Sequence, residues 1–128
     1  MKIKAAVLVL AAALLFGTTA YAHHSFAGTY DLSQQVKVEG KLVQFLFRNP
    51  HSFVHIEDAE GQRWAIEWAG GAQLAGSSID RNTLKVGDPV VITGNPTRTT
   101  GEHRLRMVSL KRTSDGLTWG NRQGEVVN

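Results

Sequence analysis

The sequence predicts an all-β protein with a small α contribution. Five segments are rich in β-branched and aromatic residues, and turn residues such as Asn49-Pro50 and Glu60-Gly61 separate them. The gap between the third and fourth segments has room for one short helix. Three meandering strands, a short helix and two further strands form the element order of a five-stranded OB-fold barrel, whose closed sheet leaves no long edge exposed. An open β-sandwich is the alternative arrangement.

The first strand is predicted over 36–48 and is the longest of the set. Val36 and Val38 share one face, whereas Phe45 belongs to the other, so the apolar residues change phase within the strand. Gly40 is where we expect the bulge or sharp coil that such a change requires. A long, bulged first strand suits this barrel, because it pairs with neighbours on both sides as the sheet closes.

The second and third strands are predicted over 51–58 and 62–69. Both alternate apolar and polar residues, which is typical of strands with one buried face. In the third strand this alternation places Trp64 and Trp68 on one face and Glu67 on the opposite face.

The later elements are shorter and more widely spaced. A helix is predicted over 72–75, a fourth strand over 89–93 and a fifth over 103–111. The polar tail, 113–128, contains several glycines and is predicted to be a loose hairpin or a disordered end.

The first 22 residues read as a cleavable signal peptide. A basic start precedes an unbroken apolar run over 5–16, and small residues follow at Ala20 and Ala22. The run is too short for a bilayer core, which needs about 20 residues. We therefore expect cleavage between Ala22 and His23, no stable membrane insertion afterwards, and a periplasmic or secreted protein.

The mature chain has the length of one domain, an OB-like barrel over 23–112 that begins with an extended arm at 23–35. Phe26 and Tyr30 are the large apolar side chains that would hold the arm down. The chain has 14 basic and 11 acidic residues, and removal of the signal takes away two of the lysines. The mature protein is therefore nearly neutral, and its basic residues are not clustered. This balance argues against a nucleic-acid partner, and the absence of cysteine excludes disulfides and thiolate metal sites.

The predicted cleavage would create a candidate metal site. It gives His23 a free α-amino group, which together with the imidazole of the same residue chelates one ion, and His51 could supply a further imidazole. His24 offers an alternative chelate through the second position. Nitrogen ligands of this kind suit copper(II). The plainer interpretation is a polar terminus that binds metal weakly and incidentally.

Three other polar residues are candidates for the same metal site. His55 lies about 13 Å along the strand from His51, too far to share one ion with it, so we expect an exposed sheet residue. His103 begins the fifth strand and could reach the barrel rim. Glu67 is expected to be a solvated strand residue. The alternative is that it binds the metal or holds a metal-binding histidine in place through a hydrogen bond.

Two other classes of function compete with a non-catalytic metal-binding protein. A metal-independent binding module would use Phe53, Trp64 and Trp68 as a face for a glycan, a peptide or an envelope protein, although tryptophans at these positions are more often core or rim packing. A copper-dependent redox enzyme would need a substrate platform, which nothing in the sequence specifies. No catalytic triad, paired carboxylates or phosphate loop is present, so we expect no catalytic residues.

Several short motifs are spread through most of the mature chain, namely His23-His24-Ser25-Phe26-Ala27, Tyr30-Asp31, Gly40, Asn49-Pro50-His51, Trp64, Glu67, Leu84-Lys85-Val86-Gly87-Asp88, Gly94-Asn95-Pro96 and Asp115-Gly116. In these motifs the chain resembles a family of small exported bacterial proteins known as domain of unknown function 6152. The resemblance implies an OB-like barrel and export, and it implies no activity. Gly76 to Arg81 departs from the family pattern, because it lacks an Arg-Gly-Trp stretch that members often carry before the fourth strand.

Overall fold

A computed structural model describes residues 26–120. The predicted signal peptide, its cleavage position, and His23 and His24 lie outside the described residues. No helix in the described range is both long enough and apolar enough to cross a membrane. The elements are β1 Val36–Leu46, β2 Phe53–Glu57, β3 Arg63–Glu67, α1 Gly71–Ala75, β4 Pro89–Pro96, β5 Arg104–Arg112 and β6 Thr118–Gly120.

The sheet closes into a barrel, which confirms the predicted fold class. Its strands follow the order β3-β2-β1-β4-β5, and a parallel pairing of β3 with β5, with Ala65 opposite Arg104, joins the two ends. The other pairings within the barrel are antiparallel, as in an OB-fold. The short strand β6 pairs with β5 and lies in the segment predicted to be a loose hairpin or a disordered end. β4 continues to Pro96 instead of ending at Thr93.

β1 pairs with two strands, as its length predicted. Its first half lies beside β4 and its second half beside β2. The bulge, however, falls between Leu42 and Gln44, so the prediction of a bulge at Gly40 is wrong. Gly40 has a different role, because the carbonyl oxygen of Glu57 lies too close to the position that a β-carbon would take. A glycine is required there for close approach of two backbones.

The barrel interior follows from the alternation of apolar residues along each strand. Leu74 of α1 is fully buried with the strand residues, so packing holds this short helix. The N-cap residue, Gly70, has no side chain to cap it, but Asn49 Oδ1 accepts from the backbone N–H of Ala72 at 3.2 Å. Each fully buried large aliphatic side chain contributes about 1.5–3 kcal/mol to stability. The core members with no measurable exposure are Val54, Ile56, Ile66, Leu74, Ile92 and Leu105.

The N-terminal arm is fixed across one end of the barrel. The arm was predicted to be extended, but residues 26–29 form a helical turn, so this part of the prediction is wrong. The backbone N–H of Asp31 donates to the carbonyl of Pro96 at 2.8 Å, and Arg98 Nε donates to the carbonyl of Ala27 at 2.8 Å. Tyr30 is only 1% exposed. These contacts bring the arm over the outer face of the sheet.

Replacing Gly40 by alanine should lower the free energy of unfolding by about 1–3 kcal/mol, the usual effect of forcing atoms into a packed site. The physical reason is the collision of the new methyl group with the Glu57 carbonyl. Urea denaturation measures the difference. Gly28→Ala is the matched control, because nothing lies within 4 Å of the β-carbon position at Gly28. Equal stability of the two variants would contradict the close approach.

Candidate functional site

A buried carboxylate lies on the outer face of the barrel. Glu67 ends β3 opposite Phe53 of β2 and beside Arg106 of β5, on the face away from the core. It is nevertheless only 7% exposed, because the arm covers it. The expectation that Glu67 is a solvated strand residue is therefore wrong.

Three side chains from separate parts of the chain satisfy both oxygens of this carboxylate. The Tyr30 hydroxyl of the arm donates to Oε2, and Arg104 Nη2 of β5 donates to the same oxygen at 2.9 Å. His51 Nδ1 lies 2.8 Å from Oε1. Arg104 Nε also donates to the Tyr30 hydroxyl at 2.8 Å, which closes a small network.

The network keeps Glu67 charged and Tyr30 neutral. Burial acts to raise the pKa of Glu67, but the hydrogen bonds from Tyr30 and Arg104 and the charges of Arg104 and His51 outweigh it, so the pKa lies below its ordinary value. Burial, together with the neighbouring Glu67, raises the pKa of the Tyr30 hydroxyl far above its ordinary value. Tyr30 therefore remains a hydrogen-bond donor at any physiological pH.

The loop between β1 and β2 positions His51. The Ser52 hydroxyl donates to the carbonyl of Arg48 at 3.1 Å, and the Ser52 backbone N–H donates to the carbonyl of Ala69 at 3.1 Å, which ties the loop to the end of β3. The His51 ring centroid lies 5.3 Å from that of Phe26 in the arm. His51 precedes β2, so the prediction that it starts the second strand is off by two residues.

The contact with Glu67 defines which nitrogen of His51 is available. An ionised carboxylate only accepts hydrogen bonds, so the nitrogen that faces it, Nδ1, carries a proton. In a neutral ring this leaves Nε2 as the acceptor. The His51 side chain is 39% exposed, and no hydrogen bond to Nε2 occurs within residues 26–120.

A cleft of about 250 Å³ opens beside this network, between the arm, α1 and the ends of β3, β5 and β6. Its walls include His51, Glu67, Trp68, Arg106 and Trp119. The cleft thus joins a titratable pair to aromatic and cationic side chains.

The aromatic residues predicted as one ligand face do not form one. Phe53 lies on the outer face, where the guanidinium of Arg48 is 5.2 Å from its ring centroid. Trp68 is 4% exposed and belongs to the core. Trp64 is half-buried and donates from Nε1 to Asp58 Oδ2 at 3.0 Å. Phe53 alternates with the buried residues of β2, so it lies on the outer face, whereas Trp68 follows the outward-facing Glu67 and belongs to the core. The structure therefore places these two rings on opposite faces of the sheet.

His55 and His103 lie apart from the cleft, around a second depression of about 350 Å³ that Trp64 also lines. The His103 ring centroid is 4.9 Å from that of Trp64. His55 is half-buried instead of exposed as predicted, and burial, with the nearby charges of Arg63 and Arg48, lowers its pKa.

The described residues supply only one of the predicted metal ligands, His51. Within 26–120, no group of three or more His, Asp or Glu side chains is arranged to hold a metal ion. Sequence reasoning did not single out Arg104 or Arg106. Their alternation around Leu105 marks them as outward residues, but only the β3–β5 register brings them beside Glu67.

Replacing Glu67 by glutamine should lower the free energy of unfolding at pH 7 by about 2 kcal/mol, less than the 3–5 kcal/mol of a fully buried ion pair, because Arg104 reaches solvent. A depressed pKa stabilises the fold above the unfolded Glu pKa of about 4.3, and this contribution is lost as pH falls through the lower folded value. The difference between variant and wild type should therefore shrink in acid, as measured by urea denaturation across pH.

Glu57→Gln is the control for Glu67→Gln. Glu57 pairs with Arg63 at 3.3 Å on the surface, so its replacement should change stability by less than about 0.5 kcal/mol. A loss at Glu67 that is as small, or that persists unchanged below pH 3, would contradict the network.

Comparison with known proteins agrees with the resemblance seen in the sequence. The model of a family of unknown function, DUF6152, matches residues 11–106. No curated protein matches the chain at a significant level. The match covers most of the chain and spans β1 to β4, Glu67 and His51. The protein belongs to the DUF6152 family of unknown function.

Proposed function

We propose that this protein is exported to the periplasm or secreted and binds copper(II) without catalysis. Cleavage after Ala22 would free the amine of His23, and the ligands would be that amine, the His23 imidazole and His51 Nε2, with His24 as an alternative. Copper(II) heads the affinity order of divalent ions for nitrogen ligands, and the chain has no cysteine to favour a softer ion.

The observation that carries the proposal is the His51–Glu67 contact. Histidines that bind metals commonly donate their other ring N–H to a carboxylate, which fixes the ring and raises its basicity. Here Nδ1 lies 2.8 Å from Glu67 Oε1, so His51 has the orientation that a metal ligand needs. This contact supports a role for Glu67 in orienting the His51 ring as a metal ligand.

The arm supports the pairing of His51 with the mature terminus. Phe26 lies against the His51 ring at 5.3 Å, and His23 is three residues before Phe26 in the sequence. Three residues of chain span at most about 11 Å. The covalent chain therefore keeps the amine of His23 within reach of the cleft that His51 lines.

Copper binding should depend on where the chain begins. Protein starting at His23 should bind copper(II) at least ten-fold more tightly than protein that retains Ala20 to Ala22, because the extension removes the terminal amine from His23. Competition with a chromogenic chelator measures both dissociation constants. An extension of three residues avoids placing either histidine third, a position that forms a different copper chelate. The mass of protein isolated from the envelope first verifies the natural N-terminus.

Two substitutions distinguish a defined copper site from nonspecific copper binding by the N-terminal histidines. His51→Gln and Glu67→Gln should each weaken copper binding by about 10–100-fold, as loss of a ligand or its carboxylate partner does. His103→Gln is the control, because His103 packs on Trp64 away from the cleft. Equal affinity of the His51→Gln variant and wild type would reduce the terminus to an incidental chelator.

The second depression favours a further candidate, a metal-independent binding module for a glycan, a peptide or an envelope protein. It lies on β2 and β3, the strands with which OB-folds bind oligosaccharides and oligonucleotides. Trp64 is oriented by its hydrogen bond to Asp58, and His55 and His103 add polar groups. Trp64 lines this depression, whereas Phe53 and Trp68, the other two aromatic residues predicted for such a face, do not.

A ligand in the depression should change tryptophan fluorescence to the same extent with and without a chelator. His103→Ala should weaken its binding by about three- to ten-fold through loss of a polar contact, whereas His51→Ala should leave it unchanged. A panel of oligosaccharides and peptides provides the measurement. No response from any member would count against the module.

A further inference from the structure

We propose that the cleft beside His51 binds a small carboxylate anion, held by Arg106 and by the indole N–H of Trp68. This inference goes beyond copper binding and does not depend on it. It rests on two residues that line the cleft, Arg106 and Trp68, whose side-chain donors have no acceptor among residues 26–120.

Trp68 supplies the first donor. Its side chain is 4% exposed and lines the cleft, and its Nε1 is buried without a hydrogen-bond partner among residues 26–120. A buried N–H that stays unpaired costs about 1–3 kcal/mol. An acceptor that entered the cleft would remove this cost, so the indole favours a ligand with an exposed oxygen.

Arg106 supplies the second donor and the charge. Its guanidinium lies 4.9 Å from the ring centroid of Phe26, which restricts its position at the cleft wall. No carboxylate of the described residues lies within ion-pair distance of Arg106. The nearest acid along the sheet, Glu67, contacts Tyr30, Arg104 and His51, and it forms no ion pair with Arg106.

The charges around the cleft therefore leave an excess of one positive charge. Arg104 balances Glu67, and Arg106 remains. A planar carboxylate matches a guanidinium through two parallel hydrogen bonds and can still accept from one indole N–H. A volume of about 250 Å³ limits the ligand to a small molecule.

The test uses the full chain, stripped of metal on a chelating resin, with succinate as the probe. Succinate should bind saturably, and the indole ¹H–¹⁵N resonance of Trp68, assigned with Trp68→Phe, should move more than those of Trp64 and Trp119. Arg106→Gln should weaken binding by at least ten-fold, and Trp68→Phe by about three- to ten-fold. Succinamide has the same carbon chain without charge and should not bind.

Lys111→Gln is the matched control, because Lys111 is an exposed cation on the same strand as Arg106 and should leave succinate affinity unchanged. The proposal is overturned if succinate does not bind, if Arg106→Gln binds as well as wild type, or if phosphate binds more tightly than succinate. Metal is absent throughout, so failure here leaves the copper proposal standing, and failure of copper binding leaves this one standing.

Discussion

A carboxylate that is removed from water needs hydrogen-bond donors in place of that water. For Glu67, these donors come from the segments that meet on the outer face of the barrel. Its oxygens are reached from the arm by Tyr30, from the β1–β2 loop by His51 and from β5 by Arg104. Breaking any of these contacts would leave a charge poorly compensated in a site with little solvent, which is far more costly than losing a surface ion pair. The network therefore fixes the relative positions of three segments that are distant in sequence.

The same contacts give the site its chemical character. Because Glu67 holds Nδ1 of His51, the imidazole presents one defined nitrogen for an external partner. Because Arg104 forms the ion pair with Glu67, the positive charge of the neighbouring Arg106 is not balanced by that carboxylate. Stability and the proposed copper binding would thus both depend on Glu67, and a change there is expected to alter both.

The sequence was sufficient for the barrel and insufficient for its outer face. Strand periodicity and turn residues predict the order of the elements, because these signals are local. The burial of Glu67 depends on Tyr30, which is far away in sequence, so alternation in β3 alone indicated a solvated residue. Gly40 was correctly recognised as special, but its role depends on the carbonyl of a neighbouring strand and not on a bulge.

The parallel pairing of β3 with β5 also determines when the site comes into existence. Arg104 and Arg106 reach Glu67 only through this long-range register, which joins the first half of the barrel to its last strand. Contacts of such high sequence separation form late, because a long loop must be closed before they contribute. In a partly assembled chain with only its early hairpins, Arg104 and Arg106 would not yet lie beside Glu67. A ligand that binds the cleft as proposed would therefore bind only molecules with a completed barrel.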